Sequence, residues 1–277
     1  MACATPDRRA AIRPLPPSGY VVPARDRYAW HVELRIGERR RYRVALEIES
    51  LETAEGSPPR ANRLQVQYDD VIEVKRGERP DLVELDEQVA RIQISPERPP
   101  AAAGFDPGRA QVHVVSRFEP SGGLISRTIL ATADLPRVVL NSLVLGSQLE
   151  YLVVPGAPYV VLGQPWTVRK EAPFAVGTVH GLASGKCEFT LTQVGECDHR
   201  PCALLKATET VSISGPDLAG EGATKQVFEI DPADGRPRSA EGWQSASYRQ
   251  GRAGSGFAIA ARVHFTYRLE PDSLRPR

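Results

Sequence analysis

Cysteine is the residue type whose spacing most readily suggests chemistry in this sequence. Cys197 and Cys202 enclose the segment CDHRPC between two runs with strand-like alternation. That spacing fits a disulfide across a hairpin loop, which would indicate an oxidising compartment. Two alternatives stay open: free thiols, or a metal site built from Cys197, His199 and Cys202 with Cys187 as a fourth ligand. A zinc site normally has a second closely spaced ligand pair, which is missing here, so we favour the disulfide and predict no metal.

Motifs of catalysis are incomplete throughout the chain. Ser184, in the segment GLASG, lies one place late for the nucleophile elbow of a hydrolase. Residues 220–225, GEGATK, hold Gly and Lys in the wrong order for a phosphate loop. Asp69 and Asp70 adjoin on a predicted strand, where neighbours point to opposite faces, so without a bulge they cannot act as a carboxylate pair. We therefore predict that the protein is not an enzyme, has no catalytic residue and needs no cofactor.

Charge argues against nucleic acid as a partner. The net charge is +1 and the pI is about 7.7, whereas nucleic-acid binders concentrate basic residues. The main basic run contains Arg39, Arg40, Arg41 and Arg43. Alternate members of this run share one face of a strand, and we interpret that face as solvated rather than as an anion site.

The first residues resemble the cleavage site of a bacterial lipoprotein from which the apolar segment is missing. Cys3 follows Ala2 and precedes a polar stretch rich in proline. We predict that Cys3 is lipid-modified and that residues 1–24 form a disordered tether; an ordinary disordered terminus with an incidental cysteine is the alternative. No apolar stretch reaches the roughly 18 residues that span a bilayer. The predicted location is the periplasm or the outer membrane, with membrane attachment only through a lipid on Cys3.

Alternation of apolar and polar residues dominates the rest of the chain and predicts antiparallel strands. The clearest case is the run from Phe257 to Leu269. At about 3.3 Å per residue it would form a strand on the order of 40 Å long, a length typical of strongly curved sheets and barrels. The spacing of apolar residues over 134–153 is instead helical, and Asp134 is placed to cap the first turn.

A proline-rich stretch after the predicted helix joins the two β-rich parts of the sequence. Pro158, Gly163 and Trp166 lie in this stretch, and we assign them a structural role: prolines fix the crossing and the tryptophan closes a core. The predicted organisation is a tether over 1–24, a first β half over 25–132, a helix and connector over 133–168, a second β half over 169–270 packed with the first, and a tail over 271–277.

A weak internal repeat links the two halves. The strand end FEPSGG in the first half corresponds to FEIDPADG in the second, each running from Phe and an acidic residue into a Pro/Gly turn. We therefore predict a mainly β fold in which two antiparallel meanders form a curved sheet or half-barrel, with one central helix.

The segment PYVVLGQPW, from Pro158 to Trp166, together with these meanders and strand ends, resembles a group of uncharacterised secreted or lipid-anchored bacterial proteins. The resemblance covers most of residues 28–269 and departs from the family pattern at Pro165, where a small or acidic polar residue is expected. At the level of fold alone, the predicted sheet is similar to the half-barrels of LolA-type lipoprotein carriers. That likeness implies a face that shields acyl chains in the periplasm.

These observations favour a non-enzymatic protein of the bacterial cell envelope that binds an apolar ligand, a lipid or a partner protein on a concave sheet face. If the same apolar rows form a filled core, the protein would instead be a structural or assembly subunit of an envelope complex. A hydrolase is the third alternative. The candidate concave face is formed by Phe257, Ile259, Val263, Phe265 and Tyr267.

Overall fold

The fold is built from β-strands throughout the part of the chain that the structure describes. The computed structural model describes residues 27–29, 35–79, 82–95, 112–118, 124–131, 159–176, 179–251 and 256–270. The strands within these ranges are β1 Arg27–Ala29, β2 Arg39–Ala54, β3 Arg60–Arg76, β4 Val83–Ser95, β5 Val112–Phe118, β6 Leu124–Ala131, β7 Tyr159–Val161, β8 Pro165–Val176, β9 Val179–Cys197, β10 Arg200–Gly215, β11 Leu218–Ile230, β12 Pro237–Gln250 and β13 Phe257–Leu269.

Eleven of these strands form one curled sheet that closes into a barrel, while β1 and β7 pair as a separate ribbon. The order around the sheet is β10-β11-β12-β13-β2-β3-β4-β5-β6-β8-β9, and β9 returns to β10. Neighbouring strands are antiparallel except β6 and β8, which run parallel and are paired over Arg127–Ile129. The antiparallel pairing of β2 with β13 places the first and the last strand of the barrel side by side.

The fold class predicted from the sequence needs one correction. A mainly β protein with a strongly curved sheet is what the structure shows, but the predicted central helix is wrong as part of the fold class, because no described residue is helical. The segment 134–153 itself lies outside the described residues. The two halves are joined by direct strand pairing, β6 with β8 and β2 with β13, so backbone hydrogen bonds make the junction that a helix was expected to make. The proposed domain boundaries stay a prediction.

Alternation along each strand decides which side chains enter the barrel. In β2, Tyr42, Val44 and Leu46 are buried, whereas Arg41 and Arg43 between them are exposed. The same period of two runs through β3, β5, β9 and β13, and their inward side chains form one continuous apolar cluster. We call this cluster, which includes Tyr42, Phe189 and Phe265, the main core.

A bulge in β4 changes which face of that strand points inward. Leu85 and Val89 are buried at odd positions, but Ile92 and Ile94 are buried at even positions. Between them Arg91 has a φ of 56°, and the pairing with β3 shifts register at the same point. One extra residue in the strand shifts the alternation by one, so both apolar sets reach the main core.

Two buried arginines close the end of the barrel at which β2 and β12 begin. The Glu38 carboxylate lies 2.6 Å from Nε of Arg40 and 2.6 Å from Nη1 of Arg236, and Asp234 pairs with Arg40. Burial and the nearby Arg40 charge lower the pKa of Arg236, yet a guanidinium keeps its proton under all ordinary conditions. We call this the arginine end, and its two positive charges are matched by two carboxylates.

Candidate functional site

Polar side chains line one part of the barrel interior, on β10, β11 and β12. Glu209 lies opposite Thr224, and Thr224 lies opposite Gln244, so the three are lateral neighbours on the inner face. Gln226 faces inward two residues farther along β11. All four are at least nine-tenths buried, with relative exposures of 7% for Glu209, 3% for Thr224, 6% for Gln226 and 3% for Gln244. We call these four residues the interior polar row.

The alternation of β11 aims two members of the row inward. Thr224 and Gln226 continue the buried series of Phe228 and Ile230, while Lys225 and Val227 point to solvent. Polar residues thus occupy positions that a barrel of this kind normally fills with apolar side chains. We therefore expect apolar packing in the barrel interior to be weaker at the row than in the main core.

Two amides of the row keep one polar atom without a hydrogen-bond partner in the described part of the chain. These atoms are Oε1 of Gln226 and Nε2 of Gln244. A buried polar atom without a partner costs about 1–3 kcal/mol. The inner-face neighbours of the row along the same strands, and across to β9 and β13, are Cys187, Ala207, Val211, Gly222, Ala246 and Val263. A buried arginine, Arg127 of β6, also acts on the interior, since its charge lowers the pKa of Tyr267.

The polar row lies between two apolar regions. On the side of the arginine end is the main core, which includes Phe189, Phe228 and Phe265. On the other side is a second, smaller cluster centred on Ile213, against which Val211 and Ala246 pack. The interior is thus apolar, then polar, then apolar along the strands.

The second apolar region is partly accessible to solvent although it faces inward. Val211, Ala246, Tyr248 and Ala261 lie on the inner face, and each is only half-buried. They lie toward the end of the barrel at which β12 finishes and β13 begins. We call this the open end, because half-buried inner positions occur here beside buried ones such as Ile213, whereas the inner positions at the arginine end are buried.

The predicted concave face divides between these regions. Val263, Phe265 and Tyr267 belong to the main core, with Phe265 and Tyr267 in edge contact at a centroid distance of 5.8 Å. Ile259 is also buried but lies nearer the open end, and Phe257 beside it is half-buried. All five residues occupy inner-face positions of β13, and their role as a binding face stays a prediction. The inner wall at the open end also includes residues of β10 and β12 that the sequence did not single out.

Two of the three connector residues lie within the described part of the chain. Trp166 packs against the main core and stacks on Phe189 at a centroid distance of 5.7 Å. Gly163 has a φ of 77° in the turn between β7 and β8, a conformation that glycine adopts without strain, and its N–H donates to the Leu191 carbonyl at 2.8 Å. Pro158 lies outside the described residues.

Cys197 and Cys202 form a disulfide with a Cα separation of 5.6 Å. The two residues between β9 and β10, Asp198 and His199, both have positive φ, as the tight hairpin turns that match strand twist require. Cys187 is buried and takes no part in the disulfide, and Cys3 lies outside the described residues. Within the described ranges no group of three His, Cys, Asp or Glu side chains is arranged to hold a metal ion.

A second buried polar group lies nearer the arginine end. The Tyr68 hydroxyl is hydrogen-bonded to Tyr267, and burial, followed by the negative charge of Asp70, raises the pKa of Tyr267 above its usual range. Burial likewise raises the pKa of Tyr68. Asp70 faces inward, whereas Asp69 faces outward toward Arg41, Arg43 and Arg91, so the two carboxylates do not act together. Raised pKa values keep both tyrosines protonated, which makes them hydrogen-bond donors and not bases.

Asp86 is the centre of a titratable group on the outer face. Lys75 is hydrogen-bonded to it, and Nε2 of His113 lies 2.6 Å from its Oδ1. Burial alone would raise the pKa of Asp86, but the hydrogen bonds from Lys75 and His113 outweigh burial and lower that pKa. The hydrogen bond to Asp86 in turn raises the pKa of Lys75.

This arrangement predicts acid-sensitive stability. Because the pKa of Asp86 is lower in the folded than in the unfolded chain, its contribution is present above the unfolded pKa and is lost as pH falls through the folded pKa. We expect Asp86→Asn to lower the free energy of unfolding by about 1–2 kcal/mol near pH 6, and the difference to shrink as pH falls from the unfolded pKa of about 3.9 through the lower folded pKa. Urea unfolding across this pH range measures it, with exposed Glu49→Gln as the control. A difference that stays constant with pH would contradict the assignment.

An exposed aromatic group lies on the outer face of β12. Trp243 is 49% exposed, stacks against His264 at 4.5 Å and has the Arg262 guanidinium 4.9 Å from its ring centroid. A groove of about 200 Å³ lies beside it, lined in part by Glu47 and Arg63. Cross-strand packing accounts for the ring contacts, and no buried unpaired group points into the groove.

Comparison with known proteins adds two distant likenesses. No family model matches the chain, and no curated protein matches it. A LolA superfamily protein from Nitrosomonas europaea is 12% identical, covers 86% of this chain and 90% of its own, and superposes with a TM-score of 0.17. A protein of unknown function from the DUF3598 family, from Nostoc punctiforme, is 8% identical, covers 79% of this chain and 94% of its own, with a TM-score of 0.10.

TM-scores of this size do not decide the fold or the function of the chain. In the ranges that the structure describes, no helix is long and apolar enough to cross a membrane.

Sequence reasoning missed the interior polar row. Residues 215–224 look like a glycine-rich loop, which conceals Thr224, and Gln226 stands before the short strand that the sequence indicates. The available signal is the period of two that links Thr224 and Gln226 to Phe228 and Ile230. This period identifies Thr224 and Gln226 only if polar side chains are allowed on the inner face of the barrel.

Proposed function

We propose that this chain is a non-enzymatic protein of the bacterial cell envelope that binds a lipid or another apolar ligand against the inner face of its barrel. The observation that carries the proposal is the half-exposed apolar wall at the open end, formed by Val211, Ala246, Tyr248 and Ala261. These side chains face inward but are not covered to the degree of the main core. A ligand that covers them gains about 25 cal/mol for each Å² of apolar surface removed from water.

The disulfide supports the location in the envelope. A bond between Cys197 and Cys202 is stable in oxidising compartments such as the periplasm and is rare in the bacterial cytosol. Lipidation of Cys3 would tether the barrel to a membrane surface and bring it close to lipid ligands. Mass spectrometry of the protein from a bacterial envelope fraction, with Cys3→Ala as the control, tests this part of the proposal.

Filling the open end should abolish binding. We expect Ala246→Phe to weaken the binding of the apolar fluorophore N-phenyl-1-naphthylamine at least tenfold, because the new ring occupies the inner wall. The matched control is Ser245→Phe, which adds the same ring to the outer face of the same strand. Fluorescence titration measures both. If the wild-type protein does not bind the fluorophore, or if Ala246→Phe binds it as well as the control does, the proposed site is wrong.

A structural or assembly subunit is the second candidate function. The outer groove beside Trp243 favours it, since an exposed tryptophan flanked by charges of both signs is typical of contact surfaces between proteins. This candidate predicts that Trp243→Ala weakens a complex in the envelope and leaves fluorophore binding unchanged. The two candidates are therefore separated by which variant, Ala246→Phe or Trp243→Ala, has an effect on which measurement.

A further inference from the structure

We propose that three arginines on the outer face, Arg41, Arg43 and Arg91, bind a phosphate group, and that the buried carboxylate of Asp69 holds them in place. We call these four residues the outer arginine site. The site lies outside the barrel on β2, β3 and β4, so it is separate from the ligand proposed for the inner face.

Strand pairing brings the members of the site together. Arg43 lies opposite Asp69 in the pairing of β2 with β3, and Arg41 lies two residues before Arg43 on the same face. Arg91 joins them at the bulge of β4, and its side chain pairs with Asp69. The arginine run of β2 alone indicates a solvated strand face, since the carboxylate and the third arginine come from other strands.

The backbone of Arg91 is strained, which indicates a use for its side chain. Its φ of 56° lies in the left-handed region, which is unfavourable for a residue with a Cβ and is open to glycine. Glycine would therefore form the same bulge with less strain. Bulges often redirect a side chain next to a functional site, and here Arg91 is directed toward Asp69.

Asp69 positions the guanidinium groups of the site without using all of their donors. Its side chain is 8% exposed, and its oxygens lie 3.9 Å from Nε of Arg41 and 4.0 Å from Nε of Arg43. Opposite charges attract at these separations, but a hydrogen bond needs a shorter one. Each guanidinium has five N–H donors, so Arg41 and Arg43 can still donate to the oxygens of a bound anion.

The site carries a surplus of positive charge that faces solvent. Its three arginines and one aspartate sum to 3 − 1 = +2. Glu270 lies 3.6 Å from Nε of Arg43 and lowers this sum by one, whereas the exposed Arg268, opposite Arg43 on β13, raises it by one. The side chains of Arg41, Arg43 and Arg91 are 48%, 64% and 62% exposed, so an anion reaches them without any change in the fold.

A phosphate group matches this site in charge and in geometry. A phosphomonoester carries a charge of about −1.5 to −2 at neutral pH and has three acceptor oxygens, one for each arginine. Planar guanidinium groups bind such oxygens in pairs. A carboxylate has one charge and two oxygens, so it would leave one arginine without an acceptor. A soluble phosphomonoester and the headgroup of phosphatidic acid share the chemistry that the site requires.

Small aromatic anions test the inference on the full-length protein. We expect calorimetry at low salt and neutral pH to show that phenyl phosphate binds about tenfold more tightly than benzoate, because the phosphate adds charge and an acceptor oxygen. Its binding should weaken as salt is raised from about 20 mM to about 200 mM, since the charges of an exposed site are screened. No binding of phenyl phosphate, or equal affinity for the two anions, would overturn the inference.

Variants of the site separate anion binding from folding. We expect Arg43→Gln and Arg91→Gly each to weaken the binding of phenyl phosphate about fivefold. Arg91→Gly relieves the strained φ, so it should keep the wild-type melting temperature while it loses the anion. The matched control is Arg63→Gln on the outer face of β3, where an arginine faces a single exposed carboxylate, that of Glu49, at 3.7 Å. This control should change neither measurement.

Vesicles distinguish the two sources of the phosphate group. Cosedimentation with phosphatidylcholine vesicles that contain about one-tenth phosphatidic acid, if lost in Arg43→Gln, would identify a lipid headgroup as the ligand. Binding of phenyl phosphate without cosedimentation would identify a soluble phosphomonoester. Both results support the inference, whereas wild-type affinity for phenyl phosphate in both Arg43→Gln and Arg91→Gly overturns it. The proposed function is tested separately, since fluorophore binding on the inner face should be the same in all of these variants.

Discussion

Glu38→Ala is expected to lower the free energy of unfolding by about 3–5 kcal/mol, because it leaves buried positive charge without its counter-charge. Glu38 is shared by Arg40 and Arg236, each 2.6 Å away, and Arg236 is only 2% exposed. Asp234 still pairs with Arg40 in the variant, so Arg236 bears most of the loss. Urea unfolding at neutral pH measures the effect.

A matched glutamate on β2 serves as the control. Glu49 pairs with Arg63 at 3.7 Å, but its side chain is 63% exposed, so Glu49→Ala should cost less than about 1 kcal/mol. Both substitutions remove a carboxylate that pairs with an arginine. The difference between the two losses of unfolding free energy therefore reports the effect of burial. Equal losses for the two variants would show that the arginine end is not a buried charge network.

Phe189→Ala is expected to cost about 3–5 kcal/mol, because it opens a cavity in the main core. Phe189 is almost fully buried and supports the ring of Trp166 at a centroid distance of 5.7 Å. Trp166 is half-buried, so Trp166→Ala should cost less, about 2–3 kcal/mol. A double-mutant cycle of the two should give a coupling of about 1 kcal/mol from the stacked pair.

The exposed tryptophan on the outer face is the control for this pair. Trp243→Ala removes the same side chain from a position that is 49% exposed, and it should cost less than about 1 kcal/mol. If Trp166→Ala melts like the wild-type protein, Trp166 does not anchor the core. If the double variant loses as much unfolding free energy as Phe189→Ala and Trp166→Ala together, the stacking of the two rings contributes nothing beyond their burial.

The parts of the fold that the sequence predicts well are those with local signals. The run from Phe257 to Leu269 alternates without interruption and is β13 with the same bounds. The hairpin closed by Cys197 and Cys202 follows from their spacing and the turn between them. In each case neighbouring residues alone determine the geometry.

Tertiary contacts decide the parts that the sequence predicts poorly. Residues around Gly220 resemble a loop by composition but lie in β11, which pairs with β12. Glycine is needed there because an added Cβ would come within 2.6 Å of Tyr248 and 2.9 Å of the Ser247 carbonyl. Only a close approach of β12, remote in sequence, explains that glycine. The bulge at Arg91 is equally hidden, since two strand phases in one segment look like a mixed helix and strand pattern.

The candidate site could be predicted only in part. Its apolar wall on β13 follows from alternation, but the polar row requires knowledge of which strands adjoin. Glu209, Thr224 and Gln244 are far apart in sequence and become neighbours only through the pairing of β10, β11 and β12. Polar residues also interrupt the apolar pattern by which strands are identified, so the members of the interior polar row weaken the very signal that would locate their strands.

The pairing of β2 with β13 has a consequence for how the chain reaches its native state. Tyr42 lies opposite Leu269, so a ribosome must release the last strand before the edge of β2 can be covered. Until then a nascent chain carries an unpaired strand edge flanked by apolar side chains, which is prone to aggregation. Contacts of such large sequence separation form slowly. A chaperone that shields β2 during synthesis or export would therefore raise the yield of folded protein.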